Sequence, residues 1–155
     1  MVLTQKETTL LKDLQKQEEV CIAKYSKYST QAHDQQLKDL FSQLHKKETE
    51  HLNTINQMMG GSVPSSNTAS QNQTGGQSFT PTYNAIMKTS DQKMKDDEYL
   101  CNDALALEKH VSSVYNTSLF EFADTCARQT LNHIQKEEQQ HGEKIYNYMS
   151  ANGMY

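Results

Sequence analysis

Six residues of this chain form a metal-ligand pattern that occurs twice, ninety positions apart. Glu18 is followed by Glu48 and His51, and Glu108 is followed by Glu138 and His141. Thirty residues separate the lone glutamate from the paired one in each set, and three separate that glutamate from its histidine. A four-helix bundle that holds two metal ions in its core uses this set of side chains. It takes one Glu from each of two helices and a Glu-x-x-His from each of the other two. Carboxylate-rich sites with one imidazole per ion suit iron or manganese, and zinc also fits. The spacing therefore predicts two divalent metal ions held by Glu18, Glu48, His51, Glu108, Glu138 and His141. Four carboxylates brought to one buried level repel each other and lose hydration, and two cations relieve both penalties.

Two other readings fit the same residues. One is a polar layer of Glu–His and Glu–Tyr hydrogen bonds that sets helix register without metal. The other is an ancestral site that no longer binds metal. Tyr25 and Tyr115 each follow the lone glutamate by seven residues, two helical turns along one face. Each is read as a hydroxyl that orients a ligand carboxylate, a redox-active phenol, or an aromatic core residue whose OH finds a partner. Asp13, Asp97 and Asp103 are expected at solvated positions or helix ends. Glu19, Glu50 and Glu137 adjoin the ligands in sequence but lie off the ligand face, so solvent is their expected home. His33, His45, His110 and His133 lack a matching pattern and are assigned to the surface or to a supporting layer.

The elements that must position these side chains are helices. Apolar residues recur in alternating steps of three and four: Leu11, Leu14, Glu18, Cys21, Tyr25, Tyr28 in the first segment, and Leu37, Phe41, Leu44, Glu48, His51, Ile55, Met58 in the second. The third reads Met94, Asp97, Cys101, Ala104, Glu108, Val111, Tyr115, and the fourth reads Ala127, Leu131, Ile134, Glu138, His141, Ile145, Tyr148. This is the stripe a bundle helix buries, and all six ligands lie on it. Thr4 with Glu7 predicts a capping box at the first helix. Asp34 and Asp124 are expected N-caps, and Gly60 an expected stop. The predicted helices run over 4–29, 34–59, from 90 or 91 to 122, and 124–151. Placing turns near His33 and Ala123 puts each lone Glu and its paired Glu about 22 Å from the turn, hence at one level.

Residues 60–90 are rich in Gly, Ser, Asn, Thr and Gln and hold no periodic apolar face. They are read as a long polar crossover. The expected architecture is all-α: one domain spanning 1–155, a four-helix bundle made of a helical hairpin at 4–59 and another at 91–151. Matches at the ninety-residue offset support an internal repeat, among them Leu10/Leu100, Asp34/Asp124 and Ile55/Ile145.

A net charge of −4 with both signs interspersed gives no argument for nucleic acid or an anionic membrane as partner. No run approaches the roughly 18 apolar residues of a membrane span. Lys6, Glu7, Lys12 and Asp13 interrupt the first fourteen residues, which does not fit a signal peptide, so cytoplasmic synthesis is expected. Cys21, Cys101 and Cys126 form no Cys-x-x-Cys and read as reduced thiols.

The paired Glu, Glu-x-x-His units resemble the ferritin-like superfamily, most closely bacterioferritin and rubrerythrin, where a Tyr seven residues after the helix Glu is common. The resemblance implies a ferritin-like fold whose two metals bind O₂ or peroxide and share a bridging carboxylate. No rubredoxin-type cysteine pairs are present, so a complete rubrerythrin is excluded. A second resemblance is closer in texture. The stretch Asn102–Thr117 (NDALALEKHVSSVYNT), the run Lys136–His141 (KEEQQH) and the stretch Tyr148–Tyr155 (YMSANGMY) look like the Coat F family of spore coat proteins. That family is also ferritin-like, and many of its members keep only part of the metal set. It implies a place in the spore coat, with other coat proteins or further copies of the chain as partners through exposed helix faces. The functions implied are a spore-associated bundle carrying a dimetal site, a di-iron or di-manganese oxidase or peroxidase, a metal-storage protein, or a purely structural bundle with a polar core layer.

Overall fold

The computed structural model describes residues 1–64 and 91–155. Among the described residues the chain is all-helical: α1 Gln5–Gln31, α2 Gln35–Met59, α3 Asp91–Leu119 and α4 Thr125–Ala151. The expected crossover falls, over residues 65–90, outside the described residues. Helix α1 packs along α2 and α3 along α4, while α1 also meets α3 and α2 meets α4. The four helices thus form a bundle around one core. None is long and apolar enough to cross a membrane.

The local signals act where the sequence puts them. Thr4 Oγ1 accepts from Glu7 N at 3.1 Å, and Glu7 Oε2 accepts from Thr4 N at 2.8 Å, closing the capping box on α1. Asp34 caps α2 and Asp124 caps α4 through their carboxylates. Gly60 ends α2, but with φ −76°. The left-handed residue is Gly61, with φ +81°, where a Cβ would stand 2.9 Å from the Met1 carbonyl oxygen. After α4, Gly153 (φ +70°) makes a Schellman turn: Met154 N donates to Met149 O and Gly153 N to Ser150 O. That turn folds Met154 back onto the core.

Helix α3 stops at Leu119, three residues before the expected end at Phe122. The backbone of 122–123 is claimed by side chains instead. Glu7 Oε1 accepts from Ala123 N at 3.1 Å, and Arg128 Nη1 donates to the carbonyls of Phe122 and Ala123. Phe122 itself turns into the core.

The 3-4 stripes are the buried faces. Leu11, Leu14, Phe41, Leu44, Ile55, Val111, Leu131 and Ile145 lie at or near zero exposure. Each such side chain contributes about 1.5–3 kcal/mol by leaving water. Asp97 is fully buried too, which corrects its expected place at a solvated position. Its two oxygens accept from His33 N at 2.8 Å and Asp34 N at 2.9 Å. Position 97 is ninety residues from Glu7, and His33 is ninety residues from Ala123. Each half of the repeat therefore holds the other half's interhelical turn by a buried carboxylate. Asp103, half-buried, receives Lys24 and Tyr28, whereas Asp13 is exposed as expected.

Removing the Asp97 carboxylate leaves two N–H groups of a mostly buried turn without their acceptor. Asp97→Ala is expected to lower unfolding free energy by about 2 kcal/mol, and Asp13→Ala by less than about 0.5 kcal/mol. Urea denaturation of both variants measures the difference, and equal midpoints would refute the clasp.

Candidate metal centre

The bundle brings all six predicted ligands to one level. None of Glu18, Glu48, His51, Glu108, Glu138 and His141 is more than 3% exposed. They fall into two overlapping groups whose potential ligand atoms lie within 4.8 Å of one another. The first is Glu18, Glu48, His51 and Glu138; the second is Glu48, Glu108, Glu138 and His141. Glu48 and Glu138 belong to both. The two imidazole rings face each other with centroids 5.7 Å apart and planes 18° apart.

Each histidine aims Nδ1 at the carboxylates. His51 Nδ1 lies 3.0 Å from Glu48 Oε2, 2.8 Å from Glu138 Oε1 and 3.9 Å from Glu18 Oε2. His141 Nδ1 lies 3.1 Å from Glu48 Oε1, 3.5 Å from Glu108 Oε1 and 3.6 Å from Glu138 Oε2. One ring nitrogen cannot donate well to three acceptors. The hydrogen bonds formed from Nδ1 of both rings go to Glu48. Tyr25 OH donates to Glu108 Oε1, and Tyr115 OH donates to Glu18 Oε1. The remaining oxygens, Glu18 Oε2, Glu108 Oε2 and both of Glu138, are buried with no hydrogen-bond partner. Glu138 Oε1 is close to His51 Nδ1 but off the line of a hydrogen bond. Buried polar atoms are nearly always paired, so these four oxygens in one layer could hold a cation.

The two tyrosines link the halves reciprocally, since each phenol reaches the lone glutamate of the other repeat. Burial first, and then the facing carboxylate, hold both phenols well above their ordinary pKa. They remain O–H donors that fix the orientation of Glu108 and Glu18.

Glu137 was expected in solvent. It is half-buried instead, and its Oε2 pairs with His51 Nε2 at 2.7 Å. A histidine whose second nitrogen is tied to a carboxylate is held in one tautomer and one orientation, a standard support for a metal ligand. Lys47 flanks the pair, with Nζ 3.6 Å from Glu137 Oε1. Nothing in the spacing signalled Glu137, because its role depends on α2 lying against α4, and its repeat equivalent is Lys47. The other candidates stay outside the centre: Glu19, Glu50, His110 and His133 are exposed, His45 is half-buried, and His33 faces Asp96 at 3.2 Å. Cys21 and Cys101 are buried thiols, and Cys126 is exposed. Burial, followed by the charge of Glu48 and Glu18, pushes the Cys21 thiol far up, so it packs as a neutral residue.

The electrostatics show what the metal-free site must do. Burial and the neighbouring Glu48 and Glu138 raise the Glu18 carboxyl well above the ordinary range. Burial carries Glu108 to about 7, against the pull of His141. For the histidines burial acts downward, but the carboxylates win. Glu137, Glu138 and Glu48 push His51 to about 12, and Glu108, Glu138 and Glu48 push His141 to about 11. Burial would raise Glu137, yet the His51 hydrogen bond takes it down to about 2.

These directions fix how the stability of the metal-free chain depends on pH. The raised imidazoles contribute stability that is complete below their unfolded value and is lost as pH climbs toward 11–12. The raised carboxyls of Glu18 and Glu108 add a penalty that grows from the ordinary carboxyl range up to about 7 for Glu108. The depressed Glu137 works oppositely, its contribution vanishing as pH falls toward about 2. Thermal unfolding in chelator should therefore give a Tm that peaks near pH ~5 and declines through pH ~8. A Tm rising over that interval would contradict the assignment.

Residues 96–155 match the Coat F domain family. No curated protein and no solved structure matches the chain. The matched segment covers most of α3 and all of α4, and so contains Glu108, Tyr115, Glu138 and His141 but not the ligands of the first half. The similarity to the Coat F domain is thus confined to that segment.

Proposed function

We propose that the chain is a spore-associated, ferritin-like bundle of two helical hairpins joined across residues 60–90, and that its core binds two divalent metal ions. In this reading Glu18 and His51 would hold one ion and Glu108 and His141 the other, with Glu48 and Glu138 members of both donor groups. The observation that carries it is the pair of overlapping donor groups with four buried carboxylate oxygens among them that accept no hydrogen bond. The donor set, oxygen-rich with one imidazole per ion, favours iron or manganese, with zinc a fit to the same ligands. When bound, such ions supply Lewis-acid and, for iron or manganese, redox chemistry at the centre of the bundle.

The chain's own residues do the positioning. Glu137 orients the His51 ring so that Nδ1 faces the carboxylates. Tyr25 and Tyr115 fix one oxygen of Glu108 and of Glu18, leaving the second oxygen of each free to ligate. The aliphatic layers above and below exclude water, which strengthens every charge interaction inside. Metal ions would also displace the protons that His51 and His141 hold at neutral pH, so loading should release protons.

A purely structural layer accounts for the Glu48 bonds to both histidines, but it leaves both Glu138 oxygens without a hydrogen bond at the centre of the bundle. The proposed role sets the chain in the coat among other coat proteins or copies of itself, with an oxidase, peroxidase or storage activity resting on the loaded site.

Protein expressed with iron and manganese and purified without chelator or a His-tag should carry about two such ions per chain by elemental analysis. Glu48→Ala should lose most of this metal, because both donor groups contain Glu48. A well-folded chain with no metal would overturn the proposal and favour the hydrogen-bonded polar layer.

A further inference from the structure

The two halves of the centre are nearly equivalent, but their outer faces are not. Between α3 and α4 lies a cleft of about 480 Å³ whose lining includes Glu108 and Glu138. Both side chains are almost completely buried, and Glu108 Oε2 and both oxygens of Glu138 have no hydrogen-bond partner. Glu108 and Glu138 thus belong both to the wall of the cleft and to the ligand cluster.

Its walls explain why it exists. Gly142 stands one position after His141 and presents no side chain. A Cβ there would already reach ordinary contact with Leu105 Cδ1 at 3.7 Å and Glu108 Cβ at 4.0 Å, so a longer side chain would grow into the cleft. In the other half, ninety residues earlier, position 52 is leucine. The cleft-lining Leu105 and Tyr146 correspond to Gln15 and Asn56, and Gln15 Nε2 donates to Asn56 Oδ1 at 2.8 Å. That bond ties α1 to α2 at the place equivalent to the one where the cleft opens between α3 and α4. At the rim of the cleft Tyr155 packs edge-on against Tyr146, with centroids 4.9 Å apart. The lining carries Glu108, Glu138 and Glu143 against one cation, Lys109.

We propose that this cleft is the entry route for divalent cations, that the equivalent α1–α2 face is closed, and that the Tyr146–Tyr155 pair narrows the mouth. The inference rests on the dimetal reading and adds the direction of loading. Three carboxyl groups in a partly desolvated cleft draw a hydrated cation inward. Glycine at 142 leaves the passage open, whereas Leu52 and the Gln15–Asn56 bond obstruct its counterpart.

The test is stopped-flow uptake of Co²⁺ by the metal-free chain, followed by cobalt absorbance, with helicity checked by circular dichroism. Gly142→Leu should slow uptake several-fold and still reach the wild-type final absorbance. Tyr155→Ala should speed it, and Leu52→Ala should leave it unchanged. Unchanged rates in Gly142→Leu and Tyr155→Ala, or acceleration by Leu52→Ala equal to that by Tyr155→Ala, would overturn the entry route while leaving the metal site intact. Should Gly142→Leu fail to fold, the Tyr155→Ala and Leu52→Ala pair decides alone. No cobalt uptake by the wild-type chain would remove the dimetal reading and the route with it.

Discussion

Four carboxylates and two imidazoles packed at one level in an apolar bundle are the constraint on which the rest of the structure depends. Burying even one ion without a partner costs several kcal/mol. Here the chain meets four of the eight glutamate oxygens, using two phenols and two ring nitrogens, and leaves four unmet. The metal-free answer is to keep protons on His51, His141 and Glu18 that their ordinary chemistry would release. A layer this costly is held only because the aliphatic layers on either side supply the stability it subtracts. It also fixes helix register, since a shift of one residue along any helix would turn a ligand away from the centre.

The bundle closes around this layer through exchange between the repeats. Tyr25 of the first half orients Glu108 of the second, and Tyr115 of the second orients Glu18 of the first. Glu7 holds the turn at Ala123, and Asp97 holds the turn at His33 and Asp34. Each interaction has an equivalent ninety residues away, so neither half satisfies all of its own buried polar groups. An isolated half would leave Tyr25 or Tyr115, and one turn, without partners.

Much of the buried Glu/His layer was legible because it obeys a one-dimensional rule. A 3-4 stripe with Glu-x-x-His on it says which side chains face inward, and Thr4, Asp34 and Asp124 say where helices begin, all from residues near in sequence. What escaped depends on contacts between helices. Glu137 reads as a surface acid on α4 until α2 brings His51 Nε2 to it. Asp97 reads as a charge near a helix start until the α1–α2 turn offers it two N–H groups. The early end of α3 has the same origin, because Glu7 and Arg128 claim the backbone beyond it. Local spacing cannot reveal a partner more than sixty residues away.

Where the repeats differ is therefore as informative as where they agree. Ligands, phenols and turn clasps are paired across the offset, as the shared centre requires. Position 47 is lysine against Glu137, and position 52 is leucine against Gly142. The first difference gives His51 a charged anchor and sets Lys47 beside it, so the two imidazoles enter the site with unequal support. The second leaves a cleft beside Glu108 and Glu138. A symmetric set of ligands needs symmetry only at the atoms that converge. Support and access are set on the outer faces, where each half packs against different neighbours and can change without moving the centre. An asymmetric surround can thus make two equivalent donor groups chemically distinct while the geometry of the six ligands stays fixed.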